Sequence, residues 1–345
     1  MVCRKGVKLF DSVIKNSQYK CDFKHKLELI YNKVSMTKKV ISIGECMVQM
    51  LQRPDGLYSR DYAGDTQNFI QYLAWLGADL DIQAHYLTAM GQDKFGREIV
   101  AAWQAHGIET DMVMRTEQKN TGLYFADTDP RGNRDYSYFR SDAAARLMFD
   151  LPESEAIFEK ALQADVVYSS AITMMILTDE NKQKLVDFYR RAKEKGVTTA
   201  FDTNYRPAGW ETPEQAAKWM DKMFEHTDIV MPTNDENRLV FGDQTDEQTL
   251  ARMQAAGIPE IVIKCGDKGA LVYFDGKTER IESQPDINVV DTTSAGDSFN
   301  AAYIAARLSG RTAFEAATWG HRLAAEVIQH RGAFIPKDQL PALAA

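Results

Sequence analysis

From residue 39 onward the chain alternates short β-branched runs with amphipathic stretches of helical period, and this alternation restricts the fold more than any other feature. A run such as Val40-Ile41-Ser42-Ile43 is apolar on both sides of a strand, so both sides must be covered. Parallel strands joined by crossover helices meet that demand. The pattern therefore predicts an α/β fold with a mostly parallel central sheet and helices on both faces. Strands are expected over 40–43, 81–87, 165–169, 197–202, 228–231 and 261–265, and helices over 68–76, 96–105, 181–195 and 213–224. These strands tend to end at Gly, Asp, Ser or Thr, where such sheets open onto their ligand sites.

Two segments break the alternation. Residues 47–62 and 122–139 alternate with period two and read as hairpins, the second turning through Asp129-Pro130-Arg131-Gly132-Asn133. They predict a small sheet standing off the main one, either a flap over a ligand or a plain edge extension. Residues 39–340 contain no repeat, Pro-rich linker or low-complexity tract, so a single domain is expected there.

Charge divides the chain differently. The net charge is -8, which argues against general affinity for nucleic acid or anionic membrane. Residues 1–35 hold eight basic and three acidic residues, a net of +5, which leaves -13 for the rest. This leader has no apolar run of signal-peptide length and is expected to be an extension outside the folded domain of 36–345. Cys3, Cys21, Cys46 and Cys265 lack the paired spacing of a zinc site, and a reducing cytoplasm suits them best. The six histidines are scattered and predict no metal centre.

The stretch most informative about chemistry is Asp291-Thr292-Thr293-Ser294-Ala295-Gly296-Asp297, followed by a helical pattern over 298–308. A helix starting at a turn of small residues presents unpaired N–H groups and the positive end of its dipole, a cradle for phosphate. Gly296 admits close backbone approach, and Ala295 adds little bulk. Asp297 would repel phosphate if binding were all that happened there. As a base accepting a hydroxyl proton during phosphoryl transfer it makes sense, although acidic residues also simply complement helix starts. Neither a Walker A loop nor a Rossmann glycine fingerprint is present, since Leu271 and Lys264 stand where their leading glycines would be.

This stretch resembles the C-terminal signature of the ribokinase-like (PfkB) carbohydrate kinase family, in which D-T-x-x-A-G-D precedes a helix of small residues. Tyr62-Ala63-Gly64-Asp65-Thr66-Gln67-Asn68 resembles that family's N-terminal sugar-binding turn, with Ala63 replacing a glycine. The segment from Ala89 to Gly96 resembles its x-x-G-x-D-x-F-G turn. The resemblance covers about residues 39–338. It implies a three-layer sandwich with a β-sheet lid at about 47–62 and 120–140, and it implies ATP and Mg2+ as cofactors; a monovalent cation is compatible with it. Asp297 would be the base and Ser294, Ala295 and Gly296 the anion hole. Lys264, Gly266, Asp267, Lys268 and Gly269 would form the nucleotide-binding turn, joined by Asn204 and Arg206. Glu236 would act on magnesium through water, though alone it reads as a solvated helix cap. Gly64, Asp65 and Asn68 would hold the sugar.

The acceptor is read from the hairpins. Alternation puts Tyr138 and Arg140 on one face of a strand, and an arginine fork suits a carboxylate. Without context the same pattern is an ordinary amphipathic strand. Gly122-Leu123-Tyr124, Tyr138-x-Arg140 and Asp202-x-Asn204-x-Arg206-Pro207 resemble the branch of this family that phosphorylates an acidic keto sugar, 2-dehydro-3-deoxy-D-gluconate, at O6. There Tyr124, Tyr138 and Arg140 would touch the sugar acid, with Arg206 between it and the moving phosphate. A kinase for a neutral sugar such as fructose or ribose, and a catalytically silent sensor, are the competing readings. An apolar lid face predicts a homo-oligomer formed through the lid.

Overall fold

Adjacent residues of the central strands enter two different cores. Ile41, Val167, Phe201 and Ile263 pack into one apolar cluster, while Val40, Val166, Ala200 and Val262, each one position away, pack into another. The sheet is therefore buried on both faces, as its unbroken apolar runs require. The computed structural model describes residues 37–342 apart from 54 and 129–133. The basic leader 1–35 and the turn at 129–133 lie outside the described residues, as do residue 36 and residues 343–345.

In chain order the first elements are β1 (Lys38–Ile43), β2 (Met47–Gln52), β3 (Tyr58–Ala63), α1 (Asp65–Gly77), β4 (Ile82–Gly91) and α2 (Lys94–Ala105). Next come β5 (Ile108–Glu109), β6 (Val113–Thr116), β7 (Leu123–Thr128), β8 (Arg134–Phe139), α3 (Ser154–Ala161), β9 (Val166–Ser170), α4 (Ala171–Ile176) and α5 (Asp179–Glu194). Then follow β10 (Thr198–Asp202), α6 (Pro213–Phe224), β11 (Ile229–Val230), α7 (Asn234–Phe241), α8 (Asp246–Ala255) and β12 (Glu260–Lys264). The chain closes with β13 (Ala270–Phe274), β14 (Lys277–Ile281), α9 (Ala295–Leu308) and α10 (Ala313–Val327).

The main sheet runs β14-β13-β12-β11-β10-β9-β1-β4-β5, with β6 also on β4. Pairing is parallel from β5 to β12 and antiparallel only at the β12–β13–β14 edge. Asp275 and Gly276, with φ of 51° and 75°, close that last hairpin in the left-handed geometry a two-residue turn needs. Helices α1, α2, α9 and α10 cover one face, and α3 through α8 supply the apolar residues on the other. Threonines start several of them: the hydroxyls of Thr178, Thr212, Thr245 and Thr312 each accept from a first-turn N–H.

The two hairpins form a separate four-stranded sheet, β3-β2-β7-β8, joined through the parallel β2–β7 pair. Three expectations need correction. The segment 89–91 is not part of a turn: β4 continues through Gly91, and Asp93 then caps α2 by accepting from the Gly96 N–H. The helix expected from 298 begins at Ala295. The strand expected over 228–231 keeps only Ile229–Val230, because Pro232 has no N–H to give the ladder. Among the described residues no helix is long and apolar enough to cross a membrane.

Candidate active site

The chain leaves β1 toward β4 on one side and returns to β9 on the other, so the carboxyl ends of β1, β9, β10 and β12 frame a topological switch point. A cleft of about 960 Å³ opens there beneath the four-stranded sheet. Its lining includes Gly64, Asp65, Asn68, Tyr124, Tyr138 and Arg140, together with Asn204, Arg206, Glu236, Lys264 and the run Ser294–Asp297. Most of the residues expected from the sequence are thus brought to one place. Gly266, Asp267, Lys268 and Gly269 do not line this cleft. They form a short turn after β12, where the Ser283 hydroxyl and the Arg280 guanidinium donate to the carbonyls of Asp267 and Lys268.

The floor is the start of α9. Ser294 stands at its N-cap with φ of 64°, a left-handed conformation rare for a residue bearing a Cβ, and its side chain makes no cap. The Ala295 N–H, expected in the anion hole, donates here to the Thr292 carbonyl at 3.2 Å. The next two N–H groups, of Gly296 and Asp297, precede any carbonyl the helix could offer them. A Cβ at Gly296 would lie 3.4 Å from Lys264 Nζ, which puts the ammonium beside this helix start.

Asp297 is buried, and its Oδ2 accepts from Asn68 Nδ2 at 2.8 Å. Burial, helped by the charges of Asp65 and Asp202 and opposed by Asn68 and Lys264, pushes its carboxyl up to about 8. A carboxyl so displaced takes a proton readily near neutral pH, as a base must. Asp65, at the first position of α1, accepts from Ser170 Oγ and, at 2.8 Å, from Asn204 Nδ2. Burial raises its pKa against those hydrogen bonds. Gly64 is needed because a Cβ there would meet the Glu45 carbonyl oxygen at 2.1 Å.

Beneath the floor lies a buried polar network that no motif announced. Lys264 Nζ donates to Asp202 Oδ2 at 2.8 Å, and Asn300 Nδ2 donates to the same oxygen at 2.7 Å and to Tyr168 at 3.1 Å. Asn300 could have been found from Asp297 by the three-residue spacing that puts two side chains on one helix face. Asp202 ends β10, where functional groups were expected.

The roof is the small sheet. Tyr124 faces Tyr138 across the β7–β8 pair, with ring centroids 5.6 Å apart, and Arg140 lies 5.5 Å from the Tyr138 ring. The expected face is therefore formed, but Arg140 is not alone on it: its partly buried guanidinium is in ion-pair contact with the buried Glu45. Arg206 likewise meets Glu236, Nη1 to Oε1, at 2.5 Å. Burial raises the Glu236 pKa, opposed by Arg206. Glu45 escaped the sequence reading although it follows Gly44 directly after β1, where its position alone was the signal.

The arrangement sets a buried carboxyl of raised pKa at a helix start, inside a cleft beneath the small sheet. Residues 37–340 match the model of the pfkB family carbohydrate kinases. Two relatives called 2-dehydro-3-deoxygluconokinase, from Dickeya dadantii and Escherichia coli strain K12, are 38% and 37% identical to the chain; each alignment covers 89% of it, and 99% and 100% of theirs. The crystal structure of a PfkB protein from Polaromonas sp. JS666 is 25% identical and superposes with a TM-score of 0.74 over 85% of this chain and 96% of its own. The 2-dehydro-3-deoxygluconokinase of Thermotoga maritima, 23% identical, shares the fold with a TM-score of 0.74 over 86% of this chain and 94% of its own. With a match running from just before β1 to beyond α10, the chain belongs to the pfkB family of carbohydrate kinases.

Proposed function

We propose that the chain transfers the γ-phosphoryl group of ATP to O6 of 2-dehydro-3-deoxy-D-gluconate. The observation that carries this reading is Asp297, a buried carboxyl pushed up to about 8 at an unpaired helix start, beneath a lid face bearing Tyr124, Tyr138 and Arg140. The names of its relatives point to the same acceptor.

In this reading Asp297 accepts the O6 proton as O6 attacks the γ-phosphorus; the new O6–P bond forms as the bond to the ADP oxygen breaks. The N–H groups of Gly296 and Asp297, with Arg206 and Lys264, face the charge that develops on the phosphoryl oxygens. The lid keeps water from replacing the sugar as acceptor. Among the described residues no group of three or more His, Cys, Asp or Glu could hold a metal. Magnesium usually keeps several of its own waters, and Glu236 would hold it through water. Bound magnesium supplies neutralisation of phosphate charge. A ribokinase-type protein of E. coli, 24% identical, has been crystallised with ATP and Mg2+.

The deciding experiment is an acceptor panel coupled to ADP release, with the sugar acid, fructose and ribose, each with ATP and Mg2+. Preference for the sugar acid is expected; preference for a neutral sugar, or no turnover at all, overturns the reading. Repeating it in sodium and in potassium buffer tests for a monovalent cation. Leu57, Tyr58 and Phe139 are exposed on the lid, and we assign them to a homo-oligomer contact. Sedimentation of the wild type against a Phe139→Glu variant tests this, with dissociation of the variant expected.

A further inference from the structure

Glu45 belongs to none of the motifs above, yet it lines the cleft and is only 3% exposed. Its Oε2 is in ion-pair contact with the Arg140 guanidinium without hydrogen-bond geometry, and Oε1 has neither an ion-pair nor a hydrogen-bond partner among the described residues. On that side stand Gly122 and, flanking it, the apolar side chains of Met47 and Ala143, none of which can donate. A Cβ on Gly122 would stand 3.0 Å from Oε1, and one on Gly64 would stand 2.1 Å from the Glu45 carbonyl oxygen. A buried acceptor without a donor is costly, and proteins rarely keep one unless something else completes it. In a ligand cleft, the ligand can complete it.

We propose that Glu45 is a specificity residue for the acceptor: Oε1 accepts a hydrogen bond from a secondary hydroxyl of the sugar acid, while Oε2 holds Arg140 toward the sugar's carboxylate. This rests on the sugar-acid reading, which provides hydroxyls at C4 and C5 besides the reacting one at C6. A single side chain then ties recognition of the acid group to recognition of a hydroxyl. Arg140 donates and cannot accept, so a glutamine at position 45 would turn its amide oxygen to Arg140 and offer N–H groups where an acceptor is needed.

The test compares wild type, Glu45→Gln and Glu45→Asp on the sugar acid and on its 4-deoxy and 5-deoxy analogues, with saturating ATP and Mg2+. Thermal melts check folding; the aspartate variant keeps the charge that balances Arg140 if the glutamine variant does not fold. Both variants should lose about tenfold or more in kcat/KM on the sugar acid, and less than about threefold on the one analogue that lacks the bonded hydroxyl. Equal losses on all three acceptors, the mark of a purely structural role, overturn the proposal. So does a change under about threefold on the sugar acid itself. Failure of the wild type to phosphorylate the sugar acid overturns the underlying reading and this inference with it; failure confined to the variants' pattern bears on Glu45 alone.

Discussion

The Asn68 amide donates to the Asp297 carboxylate at 2.8 Å, joining the starts of two helices that lie 229 positions apart in the chain. Both helices thus aim their first turns at one point. The hydrogen bond favours the ionised carboxylate and so works against the burial that raises it.

The pH dependence of kcat/KM should expose this balance. The base must be ionised in the free enzyme, so kcat/KM should rise with pH to an apparent pKa near 8. Asn68→Ala removes a bond to the charged form and should move that limb to higher pH, by roughly half a unit or more. A limb that stays in place, or moves to lower pH, would contradict the pairing.

Asp297→Asn should separate catalysis from stability. Turnover should fall by about 100-fold to 10,000-fold as the base is lost. Stability should move the other way. The carboxyl is held near 8 in the folded state against 3.8 ordinarily, so the folded state binds the proton more tightly. The resulting penalty is absent below the ordinary value and grows as pH rises toward 8. Thermal melts should show the asparagine variant more stable than wild type by a few degrees at pH 8, with the gain shrinking toward pH 5.

Two glycines of the cleft should differ in what their replacement does to stability. Gly64→Ala forces a Cβ to within 2.1 Å of the Glu45 carbonyl oxygen, a backbone atom that cannot step aside, so both melting temperature and kcat/KM should drop. Gly296→Ala meets only Lys264 Nζ at 3.4 Å, an ordinary contact. Its melting temperature should stay within about 2 °C of wild type, while the added methyl crowds the phosphate approach and lowers kcat/KM about tenfold or more.

Arg140→Ala should weaken the sugar acid much more than fructose in the same assay; equal losses would remove the carboxylate role. It also strands Glu45. Burial already raises the Glu45 pKa, and Arg140 is the main influence lowering it. Without Arg140 the folded state should favour protonated Glu45 still more, so the variant's loss of stability should be small near pH 5 and larger at pH 8, by about 3 kcal/mol or more. Chemical denaturation at the two pH values measures the difference.

Lys264→Met should leave Asp202 buried with only amide partners. Loss of one member of a buried ion pair typically costs about 3–5 kcal/mol, so denaturation midpoints should fall clearly. The limb of kcat/KM should also move to higher pH, because Lys264 is among the groups that hold the Asp297 carboxyl down.

Much of the site was legible because the chemistry is carried by short contiguous turns. Residues 64–68 and 294–297 each bring their own backbone geometry, so their neighbours in sequence are their neighbours in space. Asn204, Arg206 and Lys264 were named through the family resemblance, and each follows or ends a strand of the parallel sheet. The turn at 266–269, assigned to the nucleotide by resemblance, does not line this cleft itself but directly follows Lys264, which does, and is bonded to the strand and loop that follow it.

The sequence by itself determined the parallel α/β core, the two off-sheet hairpins and the helix start that ends at Asp297. Those follow from periodicity and turn chemistry, which act over a few residues. Only the tertiary structure decided which charges meet: Glu45 with Arg140, Glu236 with Arg206, and Asp202 with Lys264 and Asn300. Such pairs join residues dozens of positions apart, and their consequences, including the raised carboxyl of Asp297, arise from burial and from charges gathered by the fold. Neither quantity is a property of local sequence.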